Sequence, residues 1–270
     1  MLPIRTEEDR NALYPSCQQW AEFDIYRLMA SFVLVAGAWL GGWCWGRVAD
    51  VLLDAGHRVL APTLTGLGGR AELISRDVGL LTHVMDLDTL FRSEDLRRVI
   101  LVGHSYGGTV ITAAAEFLVE RLDVLVFLDA SIPEDGQSNN DVLPPTQSAS
   151  IRQRALRDGD GWLVPPPSVM DWGLESDDVD WVERRLAPHP LKALEDPVRV
   201  SPAISRVPRA YIRSSRDSAL YERLYARAAK EGWYCQEING GHYPMLTAPH
   251  AVATALLEVE RACRHRPDPL

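Results

Sequence analysis

Short apolar runs alternate along this chain with longer amphipathic stretches. Residues 32–35, 99–102 and 124–128 are unbroken apolar runs rich in β-branched side chains, the pattern of strands buried on both faces. Residues 58–61, 209–213 and 234–238 are read as further strands. Between them the apolar period lengthens to that of helices. Val48, Val51 and Leu52 share a face of a helix over 43–54 that Gly56 stops, and Val84, Leu87, Leu90 and Phe91 share a face of one over 80–92. Helices are also predicted over 109–119 and 218–230. A last helix has Thr247 as a cap candidate, Pro249 in its first turn and Val252, Leu256 and Val259 facing inward. Strand and helix in alternation predict an α/β fold, a mostly parallel sheet with helices on both faces.

The alternation breaks after Ser131. From 133 to about 208 the chain is polar and proline-rich, with helical pieces at 146–157 and 177–186. Trp162, Trp172 and Trp181 lie here and favour burial, so an insertion capping the sheet fits better than a linker. Its span is about 135–205. Residues 1–28 show no clear period, and Met29 directly precedes the first strand. The expected organisation is an N-terminal extension over 1–28 and one α/β domain over 29–270, the competing reading being a segment that packs through Trp20, Phe23 and Tyr26.

Composition narrows the function classes. The 270 residues suit one large α/β domain. Lys and Arg number 28 against 37 Asp and Glu, a formal charge of −9, which opposes general affinity for nucleic acid or anionic membranes. Cys17, Cys44, Cys235 and Cys263 are scattered without C-x-x-C spacing, as in a reducing compartment. No apolar run is long enough to span a bilayer and the N-terminus lacks a signal pattern, so a cytoplasmic location is the expectation. With no H-E-x-x-H, no Walker loop and no G-x-G-x-x-G after a strand, neither metal nor cofactor is expected.

The chemistry-bearing stretch is Gly103-His104-Ser105-Tyr106-Gly107, a G-x-S-x-G pattern between an apolar strand and a helix-prone run. Such a sharp strand-to-helix turn lifts the serine hydroxyl out of the sheet and sets it at a helix N-terminus, where developing negative charge is favoured. Ser105 is the candidate nucleophile. It needs a base that an acid orients. His242, in Gly240-Gly241-His242 just past the last predicted strand, is the candidate base. Two carboxylates compete for the acid: Asp217, which follows strand 209–213 by a short loop, and Asp129, which ends strand 124–128. Asp217 is favoured from the chain order Ser, Asp, His and from the resemblance below. The backbone amides of Ala38 and Tyr106 are the candidate oxyanion hole. His83 and His104 are read as structural groups.

Together these stretches resemble the plant methylesterase and hydroxynitrile lyase branch of the α/β-hydrolases, and more closely its bacterial esterase relatives. The resemblance runs from about Ser31 to Glu260. It rests on Ala38-Trp39 with Gly41-Gly42-Trp43-Cys44-Trp45, on Pro62-Thr63-Leu64-Thr65-Gly66, on the serine motif, on Leu128-Asp129-Ala130 with Pro133-Glu134-Asp135-Gly136, and on Gly241-His242 with Met245-Leu246. It implies a six-stranded α/β-hydrolase sheet, a helical cap, a Ser105-His242-Asp217 triad and no cofactor. Two positions depart from the branch: Ala36 stands where it carries a histidine before glycine, and Leu40 where it carries a second histidine. The expected activity is hydrolysis of a small apolar or aromatic carboxylic ester through an acyl-enzyme, with Trp39 and Tyr243 lining the pocket. The expected partner is that small-molecule ester, and a homodimer is left open. The alternatives are a hydroxynitrile lyase-type reaction, disfavoured because Gly37 and Tyr243 replace the lyases' threonine and lysine, and a ligand-binding protein on a hydrolase fold.

Overall fold

The protein's structure, a computed structural model, describes residues 29–215 and 218–264. The expected extension over 1–28 lies outside the described residues, as does Asp217. The sequence-predicted strands are all present: β1 (Ser31–Val35), β2 (Arg58–Leu60), β3 (Val99–His104), β4 (Leu122–Leu128), β7 (Arg209–Ser215) and β8 (Tyr234–Gly240). They form a six-stranded sheet in the order β2-β1-β3-β4-β7-β8, every neighbouring pair parallel. The short β5 (Leu163–Val164) and β6 (His189–Pro190) pair as a separate antiparallel ribbon.

The central strands read as continuous apolar runs because each face of the sheet has its own core. Val33, Val35, Val99, Leu101, Leu125 and Phe127 point into one layer. Phe32, Leu34, Ile100, Val102, Val124 and Val126 point into the other, as the two-residue strand period requires. Helix α2 (Leu80–Ser93) covers the first layer with Val84, Leu87 and Phe91, and α3 (Gly107–Leu118) adds Val110, Ile111 and Ala114. On the second layer α1 (Gly46–Asp54) sets Val48 and Leu52 against Val252, Leu256 and Val259 of the C-terminal helix, Pro249–Arg264. Burying a Val, Leu, Ile or Phe side chain stabilises the fold by about 1.5–3 kcal/mol each.

Between β4 and β7 the chain leaves the sheet. This insertion carries α4 (Asn139–Val142), α5 (Pro145–Asp158), the ribbon β5–β6, α6 (Ser176–Glu183) and α7 (Leu191–Glu195). Its tryptophans are seated individually. Trp172 stacks on Tyr243 at 3.5 Å between centroids, and Trp181 meets Trp43 edge-on at 5.1 Å. Trp162 stays half-buried beneath the Arg76 guanidinium.

Because all six strands run the same way, their C-terminal ends share one edge of the sheet. The loops that leave β1, β3, β4 and β8 there carry Trp39, Ser105, Asp129 and His242.

Candidate active site

Ser105 sits at the turn from β3 into α3 with φ +52°, a left-handed conformation that costs a non-glycine residue about 1–3 kcal/mol. The turn is tight enough to exclude side chains on either flank. A methyl group on Gly103 would lie 2.5 Å from the Gly107 carbonyl oxygen, and one on Gly107 would lie 2.7 Å from that of Val35. Trp39 and Asp129 also take positive φ, +67° and +41°. Strain of this kind persists only where surrounding contacts over-determine it.

The Ser105 hydroxyl lies 3.1 Å from His242 Nε2. On the far side of the ring, Nδ1 faces Asp129 Oδ2 at 3.5 Å. Asp129 is fully buried, and its Oδ1 accepts the Ser214 amide at 2.7 Å. One carboxylate oxygen is thus anchored to β7, which leaves the other aimed at the imidazole. The carboxylate favours the tautomer with hydrogen on Nδ1, and Nε2 is then free to accept the serine proton. Sequence reasoning preferred Asp217 for this position. Asp217 lies outside the described residues, and the carboxylate that faces His242 among the described ones is Asp129.

Two further neighbours hold His242. Tyr221, on α8 (Ala219–Lys230), stacks on its face at 4.8 Å and 15°. The Tyr221 hydroxyl lies 3.2 Å from Nε2 and also hydrogen-bonds Ser105. Burial raises its pKa far above the phenol range, so it stays a donor. His104 donates through Nε2 to the His242 carbonyl at 2.7 Å. Burial first, then the charge of His242, holds His104 down to about 3, so it remains neutral.

The candidate oxyanion amides belong to Ala38, in the loop after β1, and Tyr106, at the head of α3. Both residues line one cavity with Ser105 and His242. Gly37 lets the loop reach the elbow: a methyl group there would stand 2.9 Å from Ser105 Cβ. Ala36 and Leu40 replace the branch's histidines with apolar side chains packed in the second core layer. The loop is pinned from the insertion instead. The Trp39 amide donates to His189 Nδ1 at 3.4 Å, its carbonyl accepts from the Ala187 amide at 3.1 Å, and its indole donates to the Val164 carbonyl at 2.9 Å. His189 is fully buried and its pKa is driven well below the ordinary value by that burial, which keeps Nδ1 able to accept. His83 is buried behind Tyr106; it donates from Nε2 to the Thr65 carbonyl and accepts the Tyr106 hydroxyl at Nδ1.

The cavity measures about 370 Å³. Trp39, Trp172, Tyr243, Leu143, Ile151 and Leu194 make much of its wall. Trp39 and Tyr243 both line it. Three residues around it had not been singled out as site residues: Tyr221, His189 and Arg154 of α5. Each reaches the site by a contact more than twenty residues away in sequence, so no local motif marks it. Among the described residues no group of His, Cys, Asp and Glu is arranged to hold a metal ion, and no helix is long and apolar enough to cross a membrane.

A carbendazim hydrolyzing esterase of Nocardioides sp. is 40% identical over 239 residues, covering 84% of this chain and 98% of its own. The pFDCC methylesterase MES16 of Arabidopsis thaliana is 28% identical over 220 residues, covering 75% of this chain and 82% of its own. Among solved structures, an extracellular alpha/beta-hydrolase from a Paenibacillus species superposes with a TM-score of 0.76 at 24% identity, over 85% of this chain and 98% of that one. A strained serine between a parallel strand and a helix, with a histidine from beyond the last strand at its hydroxyl, is the general geometry of a nucleophile elbow and its base. The model of the alpha/beta hydrolase family matches residues 32–255, and this chain belongs to that family.

Proposed function

We propose that the protein is a serine esterase that hydrolyses a small carboxylic ester, apolar or aromatic in its main contacts, through an acyl-enzyme. The observation that carries this reading is His242, set between the Ser105 hydroxyl and the buried Asp129 carboxylate at the wall of the cavity. Ser105 Oγ attacks the ester carbonyl while its proton passes to His242 Nε2. The resulting oxyanion is received by the Ala38 and Tyr106 amides, and each such donor contributes about 10²–10³ in rate. The carbon–oxygen bond to the alcohol then breaks, and the alcohol leaves with the proton from Nε2. A water molecule, deprotonated by the same nitrogen, attacks the acyl-enzyme and frees the acid and the serine. Asp129 holds His242 in the reactive tautomer and balances the imidazolium that forms in each half-reaction.

The relatives support the substrate class. One is named for hydrolysing carbendazim and another as a methylesterase, so an ester of a small alcohol such as methanol is the first class to test. Tyr243, where the lyases of the branch carry a lysine, is buried against Trp172 and presents no cation. The deciding experiment pairs turnover of a methyl ester with fluorophosphonate labelling. Label is expected on Ser105, and Ser105→Ala is expected to fold and lose nearly all turnover. Labelling at another serine, or an active Ser105→Ala protein, would overturn the proposal.

A further inference from the structure

Among the described residues, the cavity holds one formal charge, Arg154, with no counter-charge. Arg154 projects from α5, and its guanidinium lies over the Trp39 ring with Cζ 5.3 Å from the centroid. It lines the same cavity as Ser105 and His242, and no aspartate or glutamate among the described residues does. Its helix neighbours differ. Arg152 pairs with Glu195 and Arg157 with Asp158, both on the outer surface. Among the described residues no acid pairs with Arg154. Its Nε is closed off from solvent without a hydrogen-bond partner, and burial draws the group's pKa below the ordinary guanidinium value.

Removing a cation from water costs free energy unless a partner restores the lost interactions. Trp39 restores part through its ring face. Among the described residues nothing supplies the planar pair of acceptors that a guanidinium fork matches best. The overall charge of −9 repels anions in general, so attraction of an anion here has to be local to this pocket.

We propose that Arg154 recognises a carboxylate on the substrate, so that the preferred esters are half-esters carrying a second, ionised acid group. This deepens the esterase reading and rests on it for the ester. The carboxylate is separable, because binding tests it without turnover. A ring-sized half-ester suits the cavity: its aromatic body meets Trp39, Trp172 and Tyr243, its ester faces Ser105, and its carboxylate faces Arg154.

The test uses a matched pair, monomethyl terephthalate and methyl 4-methylbenzoate, titrated by calorimetry into Ser105→Ala protein. A charge-assisted pair in a partly desolvated pocket should make the acid bind about ten- to a hundredfold more tightly. Adding Arg154→Met should bring that ratio to about one, while Arg154→Lys, which keeps the charge and loses the fork, should leave an intermediate ratio. Equal affinities for the two ligands, or a ratio that survives Arg154→Met, would overturn the proposal. If the unmodified protein cleaves no ester and takes no fluorophosphonate at Ser105, the esterase reading fails by itself, and the binding ratio still decides the role of Arg154.

Discussion

Replacing Asp129 with asparagine changes little except the charge and one set of protons. Asn is isosteric, and it tolerates the left-handed backbone that Asp129 adopts at φ +41°. Its amide oxygen must remain on the Ser214 N–H, which Oδ1 accepts at 2.7 Å in a fully buried position. The NH₂ group is then forced toward His242 Nδ1. That nitrogen becomes an acceptor, the ring hydrogen moves to Nε2, and the base can no longer take the serine proton. The charge is lost as well. At 3.5 Å and an effective dielectric of about 20, a carboxylate and an imidazolium attract by about 5 kcal/mol. At about 1.4 kcal/mol per decade, that amounts to a loss of between 10³ and 10⁴ in turnover. The corresponding Asp-to-Asn change in a serine protease costs about 10⁴. Asp129→Asn should therefore lose at least 10³ in kcat on a methyl ester at neutral pH, with an unchanged circular dichroism spectrum and unchanged affinity for an uncleaved ligand. Asp217→Asn is assayed beside it. An Asp129→Asn enzyme within tenfold of the unmodified protein, next to an Asp217→Asn enzyme reduced by 10³ or more, would assign the orienting carboxylate to Asp217 instead.

Two further outcomes are expected. Tyr221→Phe keeps the ring stacked on His242 and removes the hydroxyl near Ser105; loss of one neutral hydrogen bond should lower kcat about 2- to 10-fold, more for a methyl ester than for a nitrophenyl ester whose leaving group needs no proton, and an equal effect on both would count against a role for the hydroxyl in alcohol departure. Acid should destabilise the fold: His104, held at about 3 against an ordinary 6.5, stays neutral in the folded state while the unfolded chain takes up its proton, so stability is present above pH 6.5 and is lost as pH falls from there toward 3, by about 4–5 kcal/mol at the acid end. Urea unfolding between pH 7 and pH 4 measures this, and His104→Gln should give a shallower slope; identical slopes would show that His104 contributes nothing to it.

The strands and most helices were legible because their signals are local. Buried parallel strands such as residues 99–102 and 124–128 are continuously apolar, and the elbow declares itself through Gly103, Ser105 and Gly107. The carboxylate opposite His242 was not decided locally. Asp129 and Asp217 both follow strand ends, and β4 and β7 are neighbours in the sheet, so either loop can approach the same histidine. Support for the oxyanion loop was illegible for a related reason. His189 meets Trp39 across 150 positions of sequence, and a histidine in a proline-rich insertion has no pattern that announces such a contact. Arg154 is one of several arginines on a mostly polar helix, and only the packing of that helix over Trp39 separates it from the others.

The parallel sheet has a practical consequence for handling the protein. The nucleophile, its base, the facing carboxylate and the pinned loop all hang from the C-terminal edge. The turns at the other edge, around Gly56, Asp95 and Gly232, hold none of them. Gly56 and Gly232 have open space where a side chain would begin. A tether attached at either turn would leave the cavity facing solution, and these turns are also the places where inserted peptide or relocated chain ends would disturb the chemistry least. Immobilisation through the opposite edge, near Trp39 or Tyr243, would instead turn the mouth of the pocket toward the support.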